Sequence, residues 1–471
     1  MEIIHLSAEC YPVAKVGGLA DVVGSLPKYQ QKLGHHTKVI MPMHQTSFLF
    51  QHQWDTIYQS SIPYFNRELN FSVIKEQNDT LGFELHCIQV EGFFDRTKVY
   101  GYEDDSDRYL VFQLAFLKWL SSWKKKPDII HVHDYHTGLI PFLMKNCYVY
   151  ASLAKIKTVL TIHNAQYQGW MPLAKADGFP AWERWNTGLL EWDYQLNPLA
   201  CAVKCADRVT TVSPSYMQEL FSNANGIEYL ISSEKQKCSG IINGIDYAVW
   251  NPANDPLIKF NFDEQNFDQG KELNKKYLCN EFGFEEQLPL IIFIGRLVGE
   301  KSADLLPEAL RIAFEKYPAQ FNFLMLGNGN PVIENELSKI NEHWFGYCHS
   351  KLEYNEQLSH QMYAGADFLL MPSRVEPCGL NQMYALRYQT IPMVRSTGGL
   401  KDTVVDFGEK NGYGICFNEA SIQDIVYSIG RAIDLYHDQP KVNMLRKKMI
   451  TINNSWEKSA NDYLLLYKTI S

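Results

Sequence analysis

The sequence has no Cys-x-x-Cys pair, no apolar run near the length of a bilayer span, no basic leader and no surplus of positive charge. Each lack excludes something. The ten cysteines are scattered. Cys201 and Cys205 are spaced to share a helix face, but no histidine stands beside them at zinc spacing, so reduced and mostly buried thiols in the cytoplasm are expected. Without roughly 18 consecutive apolar residues, no helix is expected to cross a membrane. The N-terminal apolar segment reads as a strand, which argues against a signal peptide. The net charge of −9 argues against a nucleic-acid surface, while leaving room for a local basic pocket. No Gly-x-Gly-x-x-Gly fingerprint with an acidic partner about 20 residues on is convincing, which disfavours a dinucleotide dehydrogenase. Low-complexity segments are absent.

What is there reads as α/β. The 471 residues suggest two or three domains, at roughly 150 residues each. Short runs rich in β-branched residues alternate with helical patterns: EIIHL, TKVIM, DIIHV, TVLTI, RVTTV and GIING, then LPLIIFI, FNFLML, DFLLM and IPMVR. This alternation argues for parallel sheets, and continuous apolarity argues for strands covered on both faces. The polar stretch from Trp250 to Gln287 lacks strand patterning. A junction at its start gives domains 1–248 and 249–454, followed by a terminal helix, ANDYLLLYKTI, within 455–471.

The stretch AKVGGLADVVG, residues 14 to 24, raises the functional question. It lies between the first strand and a helix patterned by Leu19, Val22, Val23, Leu26 and Leu33, which Gly34 is placed to stop. A tight turn needs one glycine. Lys15 with Gly17 and Gly18 supplies a cation and a bare backbone at a helix N-terminus, a combination suited to phosphate. The second half repeats the design. LPLIIFI leads into GRLVGEK, with Arg296 and Lys301, and Pro307 blurs where the next helix begins. IPMVR leads into Thr397, Gly398, Gly399 and Leu400, echoing the first Gly-Gly-Leu. Two such lobes facing each other would form one deep cleft with anion-binding loops on both walls.

Other candidates follow strands. His163 ends TVLTI and is followed by Asn164, Gln168 and Gly169. In HVHDYHTG, a metal at His133 and His136 is weighed, but only Asp134 accompanies them, so no metal is assigned. Glu376 follows DFLLM, Pro377 fixes the backbone, and Cys378, Gly379 and Leu380 open the next helix. A carboxylate above free amides suits a polyhydroxylated ligand. No histidine pairs with Cys378 to make a nucleophile, so its backbone is the expected contact.

Taken together, KVGGLADVVGSLP, HDYHTGLIP, TIHNAQYQG, TVSPSY, NGIDYAVWNP, GRLVGEK and PSRVEPCGLNQMYALRYQTIPMVRSTGGLKDTV resemble the bacterial glycogen synthases, the group that includes plant starch synthases. The resemblance runs from residue 7 to about 405 and implies two Rossmann-like domains with a deep interdomain cleft, the GT-B fold. It also implies a glucosyltransferase moving glucose from ADP-glucose to the non-reducing end of an α-1,4-glucan with retention of configuration, with no metal and no cofactor. Such a protein would be cytoplasmic, with neither nucleic acid nor membrane as partner. Its terminal helix would pack back on the N-terminal domain.

The resemblance assigns Lys15, Gly17 and Gly18 to the sugar-nucleotide loop. Arg296 and Lys301 go to the diphosphate, His163 to the neighbourhood of the anomeric carbon, and Glu376 with Cys378, Gly379 and Leu380 to the glucose. Thr397, Gly398 and Gly399, and more loosely Asp134, Asn164 and Asn243, are assigned to the donor. Asp95 and Tyr100, in FFDRTKVYG, are assigned to the acceptor glucan. The chain departs from the family pattern at Val16, where threonine is frequent, at Ser302, where glycine is frequent, and at Pro307. Tyr384 stands where broader retaining transferases carry a second glutamate, as in the glycogen and starch synthases. Related enzymes using UDP-glucose or making another α-glucan, and a silent glucan-binding protein, remain open alternatives. The charges at Arg296, Lys301 and Glu376 speak against the last.

Overall fold

A computed structural model describes residues 1–470. The chain divides into two compact units, one from Met1 to Asn243 joined by the C-terminal segment beginning at Trp456, the other Gly244–Ser455. No described helix is long and apolar enough to cross a membrane.

In the first unit, strands β1 (Glu2–Leu6), β2 (His36–Pro42), β3 (Trp54–Tyr64), β4 (Arg67–Glu76), β5 (Glu84–Val90), β6 (Ile129–His133), β7 (Lys157–Ile162), β10 (Arg208–Thr211) and β11 (Cys238–Gly240) form one sheet. Between β7 and β10, β8 (Glu191–Trp192) and β9 (Gln195–Leu196) make a small separate hairpin. The large sheet runs β11-β10-β7-β6-β1-β2-β5-β4-β3. It is parallel as far as β5, then closes with an antiparallel meander of β5, β4 and β3. The wholly parallel sheet expected from the sequence is corrected here. β3 is largely solvated, so polar residues interrupt it and it lacks the continuous apolar run of a covered strand. GIING is a second correction: the strand there is Cys238–Gly240, and only the first glycine of the motif belongs to it.

The second unit carries β12 (Leu290–Ile294), β13 (Asn322–Leu326), β14 (Cys348–Lys351), β15 (Phe368–Met371), β16 (Ile391–Arg395) and β17 (Ile415–Phe417). Their order is β14-β13-β12-β15-β16-β17, and every pair is parallel. β12, β13 and β15 are buried along almost their whole length, as covered strands require.

Helix Gly18–Lys32 buries Leu19, Val22, Val23 and Leu26, and Gly34 follows it at φ 85, where a left-handed residue costs glycine little. The C-terminal helix Trp456–Lys468 packs on this unit. Trp456, Ala460, Tyr463, Leu464 and Tyr467 join Ile3, Val22, Leu26 and Ile129 in one apolar cluster, and the Ser459 hydroxyl donates to the Ile242 carbonyl at 2.7 Å. Pro307 ceases to be anomalous. Helix Leu306–Lys316 holds it in the first turn, where its missing N–H costs nothing.

Candidate functional site

In the first unit, the loop after β1 folds around Glu9, a buried residue the sequence reading did not single out. Its Oε2 accepts the amide hydrogens of Val16 at 2.5 Å and Gly17 at 3.0 Å, and its Oε1 accepts the Tyr100 hydroxyl at 2.7 Å. Burial pushes the Glu9 carboxyl up, and these three donors pull it partly back. The Val16 and Gly17 amides are thus engaged inside the protein by Glu9. The loop is nevertheless open. A Cβ built on Gly17 or on Gly18 meets nothing within 4 Å, and Gly17 sits at φ −143, open to any residue. Neither backbone nor neighbours demand glycine there. Lys15 is exposed and pairs with Asp21 at 2.7 Å, a contact worth about 0–1 kcal/mol.

Tyr100 joins this cluster through Glu9 and stacks on His136 with ring centres 4.7 Å apart, whereas Asp95 lies exposed in the same segment. Asp134 follows β6 at φ 54 and accepts the His163 amide at 2.7 Å. Burial raises its carboxyl to about 7, opposed by the amides of His163 and Asn164 and reinforced by the charge on Glu9. The geometry gives Asp134 the work of holding the turn after β7. Asn164 closes that turn by accepting the Gln166 amide at 3.0 Å. Gln168 is buried and donates to the carbonyls of Ala165, Ala224 and Asn225, so it ties loops together. Gly169 is required, since at φ 74 its Cβ would lie 2.3 Å from the Tyr135 ring. Asn243 is buried and its Oδ1 has no partner among the described residues, a costly arrangement unless something else satisfies it.

His163 follows β7 and is nearly buried, and burial lowers its pKa to about 3. Its Nε2 lies 3.0 Å from His133 Nδ1, and His133 Nε2 lies 3.1 Å from His5 Nδ1. The register explains the cluster: His5 stands opposite His131 across β1 and β6, and His131 and His133 share a face of β6. Ligating atoms of His5, His131 and His133 approach within 4.8 Å. Those rings also bond Gln30, Tyr467, Thr161 and His163, so a cation there would have to displace existing hydrogen bonds.

In the second unit, β12 runs into Arg296 and then into short 3₁₀ turns at Gly299–Lys301 and Ala303–Leu305. Lys301 Nζ contacts Glu376 Oε2 at 2.5 Å, and the Ser373 hydroxyl donates to the same oxygen at 2.9 Å. Glu376 is buried, and its Oε1 takes no partner from the described residues. The Glu300 carbonyl accepts the Arg374 amide at 2.8 Å, and Arg374 also bonds the Gly299 carbonyl and Asp304, strapping the lysine loop to the glutamate turn. Arg296 stands apart from this pair, largely exposed and 3.7 Å from Glu300.

The second Gly-Gly-Leu is built differently from the first. Thr397 takes the N-cap position of helix Gly398–Thr403, and the Gly399 amide donates to the Glu376 carbonyl at 3.1 Å. A Cβ on Gly398 would lie 2.1 Å from the Glu376 carbonyl oxygen, and one on Gly399 would lie 2.1 Å from that of Cys378. These glycines let two backbones touch. Helix Asn381–Arg387 starts three residues later than the sequence suggested, with Leu380 as its N-cap and Gly379 left-handed at φ 73. Cys378 is buried, and the Gln382 side chain donates to its carbonyl at 3.1 Å. Tyr384 and His360 stack on opposite sides of Trp250, with centres 3.7 and 3.9 Å away.

Ser302 explains its own departure from pattern. It lies at φ 53, ψ 29, a region favouring glycine, and its buried hydroxyl has no partner among the described residues. Glu9, Ser373 and the Gln30–Tyr467 pair went unnoticed in the sequence. The histidine alternation in HVHDYH was the one visible signal, since it places two imidazoles on one strand face.

Comparison with known proteins agrees with these two units. The starch synthase catalytic domain family matches residues 2–233, and glycosyl transferases group 1 matches residues 275–451. A glycogen synthase of Flavobacterium johnsoniae is 48% identical over 470 residues, covering 100% of this chain and 99% of the relative. The catalytic domain of starch synthase IV from Arabidopsis thaliana, solved with ADP and acarbose, is 33% identical with a TM-score of 0.89, covering 100% of this chain and 99% of that one. Sucrose-phosphate synthase from Thermosynechococcus elongatus shares the fold at 15% identity, with a TM-score of 0.63 over 100% of this chain and 98% of its own.

Proposed function

This chain belongs to the glycogen and starch synthase family of glycosyltransferases, and on that premise we propose which residues carry its chemistry. It transfers glucose from ADP-glucose to the non-reducing end of an α-1,4-glucan with retention of configuration. The Lys301–Glu376 contact supports the assignment most strongly. The carboxylate sits on a turn packed against Gly398 and Gly399, and the cation sits on a separate loop that Arg374 straps to that turn, so neither moves cheaply.

Lys301 binds the diphosphate and, with Arg296, stabilises the charge that grows on it as the glucosyl–phosphate bond breaks. A donor fixed before the reaction binds that charge more tightly in the transition state than in the ground state, which is what accelerates a step. Glu376 takes sugar hydroxyls on Oε1 while Oε2 stays on Lys301 and Ser373. The acceptor hydroxyl attacks the anomeric carbon from the face the diphosphate leaves. Its proton passes to the departing phosphate oxygen, so one C–O bond forms as another breaks. In the first unit, Gly17, Gly18 and Lys15 form an open loop for the donor, and the Asp134-braced turn presents His163 to the sugar.

The ADP preference draws support from the nucleotide bound to the Arabidopsis relative. The test is incorporation of labelled glucose from ADP-glucose and from UDP-glucose, each with and without glycogen primer. Primer-dependent incorporation from ADP-glucose is expected. Equal or greater incorporation from UDP-glucose would overturn the donor assignment, and none from either would overturn the activity.

A further inference from the structure

A continuous line of hydrogen bonds runs from the interior of the first unit to His163. It begins at the Leu160 carbonyl, which only accepts. The Thr210 hydroxyl lies 3.1 Å from it and so donates to it. With its one hydrogen spent, Thr210 accepts from the Thr161 hydroxyl at 2.6 Å. Thr161 in turn accepts from His131 Nε2 at 2.6 Å. A neutral imidazole carries a single N–H, so His131 Nδ1 is bare and accepts the Tyr467 hydroxyl at 2.7 Å. Tyr467 then accepts the Gln30 amide hydrogen at 3.2 Å, which turns Gln30 Oε1 towards His5 Nε2 at 2.8 Å.

The same reasoning continues outward. His5 donates from Nε2 and accepts on Nδ1 from His133 Nε2, and His133 accepts on Nδ1 from His163 Nε2. His163 is left with a proton on Nε2 and a bare Nδ1, which takes no partner from the described residues. Every ring must be neutral for this order to hold. Burial lowers the pKa of all four rings, with His5 at about 4 and His163 at about 3.

We infer that Gln30 and Tyr467 are positioning residues that fix His163 in the tautomer with a bare Nδ1, making that nitrogen an acceptor for a hydroxyl of the donor's glucosyl unit. The C-terminal helix thereby sets the chemistry of the residue that follows β7. The tautomer follows from the hydrogen-bond order alone, and its use on the sugar rests on the role proposed above for His163. The partner chemistry is specific. A bare imidazole nitrogen receives a hydroxyl hydrogen, whereas the opposite tautomer presents an N–H to it.

The test uses the full chain labelled with nitrogen-15 in its histidines, with His163 assigned by its loss in His163→Gln. Nitrogen-15 spectra separate bare from protonated ring nitrogens. In the unaltered protein, His163 Nδ1 is expected bare and Nε2 protonated at neutral pH. A protonated Nδ1, or an imidazolium, overturns the inference without any variant. Tyr467→Phe and Gln30→Met each cut the line at a different point, and both are expected to give a mixture of His163 tautomers. An unchanged His163 spectrum in both folded variants overturns the positioning role.

The kinetic arm separates the two claims. A mixed tautomer should raise KM for ADP-glucose about five- to tenfold, the size of one neutral hydrogen bond, and leave KM for glycogen unchanged. A shifted tautomer with an unchanged ADP-glucose KM overturns the use of Nδ1 on the sugar, and with it the role read for His163, while the tautomer assignment stands. Loss of both KM values together would mark a structural effect and overturn the specific role.

Discussion

Lys301 reaches Glu376 across 75 positions of sequence, its Nζ 2.5 Å from Oε2, with the Ser373 hydroxyl on the same oxygen. Two residues that the sequence assigned to opposite ends of the donor are therefore one unit. The pair explains why the loops around it are so heavily strapped: Arg374 bonds Gly299 and Asp304 on the lysine side, and Gly399 bonds the Glu376 carbonyl on the other. A partly buried carboxylate that lost its cation would keep its desolvation cost.

The two Gly-Gly-Leu loops should answer differently to alanine. Gly17→Ala places a methyl in open space on a permitted backbone, so stability should be unchanged while KM for the sugar nucleotide rises. Gly399→Ala drives a methyl to 2.1 Å from the Cys378 carbonyl and should cost about 2–3 kcal/mol. Thermal midpoints with ADP-glucose saturation curves distinguish the two. Equal destabilisation would contradict the distinction.

Ser302→Gly should stabilise the second unit by about 1 kcal/mol. It relieves a left-handed serine and removes a buried hydroxyl with no partner among the described residues, gains that outweigh the added freedom of an unfolded glycine. A thermal midpoint at or below that of the unaltered chain would contradict this.

Acid should destabilise the first unit before neutral sites titrate fully. Histidine ordinarily titrates near 6.5, and burial holds His5 at about 4 and His163 at about 3, with His131 and His133 also lowered. Their contribution is complete above about pH 6.5. Below it the unfolded chain takes up protons that the folded rings refuse, so stability falls down to about pH 3–4. Asp134, raised to about 7, acts oppositely: its contribution is complete below the ordinary carboxyl range and is lost as pH rises through about 7. Four rings outweigh one carboxyl, and each pK unit is about 1.4 kcal/mol. Calorimetry between pH 7 and 4.5 should show a falling midpoint, and a flat or rising one would contradict the account.

Cys378→Ser should keep most activity, because the residue's carbonyl accepts the Gln382 side chain and packs against Gly399, and the proposed role is the backbone's. Steady-state kinetics on the folded variant decide this, and complete loss of turnover would contradict it.

Much of this was legible in the sequence because it depends on local pattern. Covered parallel strands announce themselves as apolar runs, and Lys15, Lys301 and Glu376 lie in the loops that follow such runs. The meander Trp54–Val90 was not legible, since its outer strand is largely solvated and mixes polar with apolar residues like many loop segments. Glu9 was hidden for another reason. Its partners, Val16, Gly17 and Tyr100, are set by a loop conformation and by a contact 91 positions away. Tyr467 read only as the apolar face of a terminal helix, because nothing in its neighbours reveals that it bonds His131 from 336 positions away. The glycine echo misled in part, since repeated letters carried one meaning in an open loop and another in a backbone contact.

The central claim is that Lys301, seated on Glu376, draws charge from the departing diphosphate. The direct measurement is kcat of Lys301→Ala with ADP-glucose and glycogen at saturation, alongside a melting curve to establish folding. The account predicts a fall of roughly 10²–10³, the value of one preorganised donor to a developing anion. A folded Lys301→Ala enzyme with unchanged kcat would contradict it.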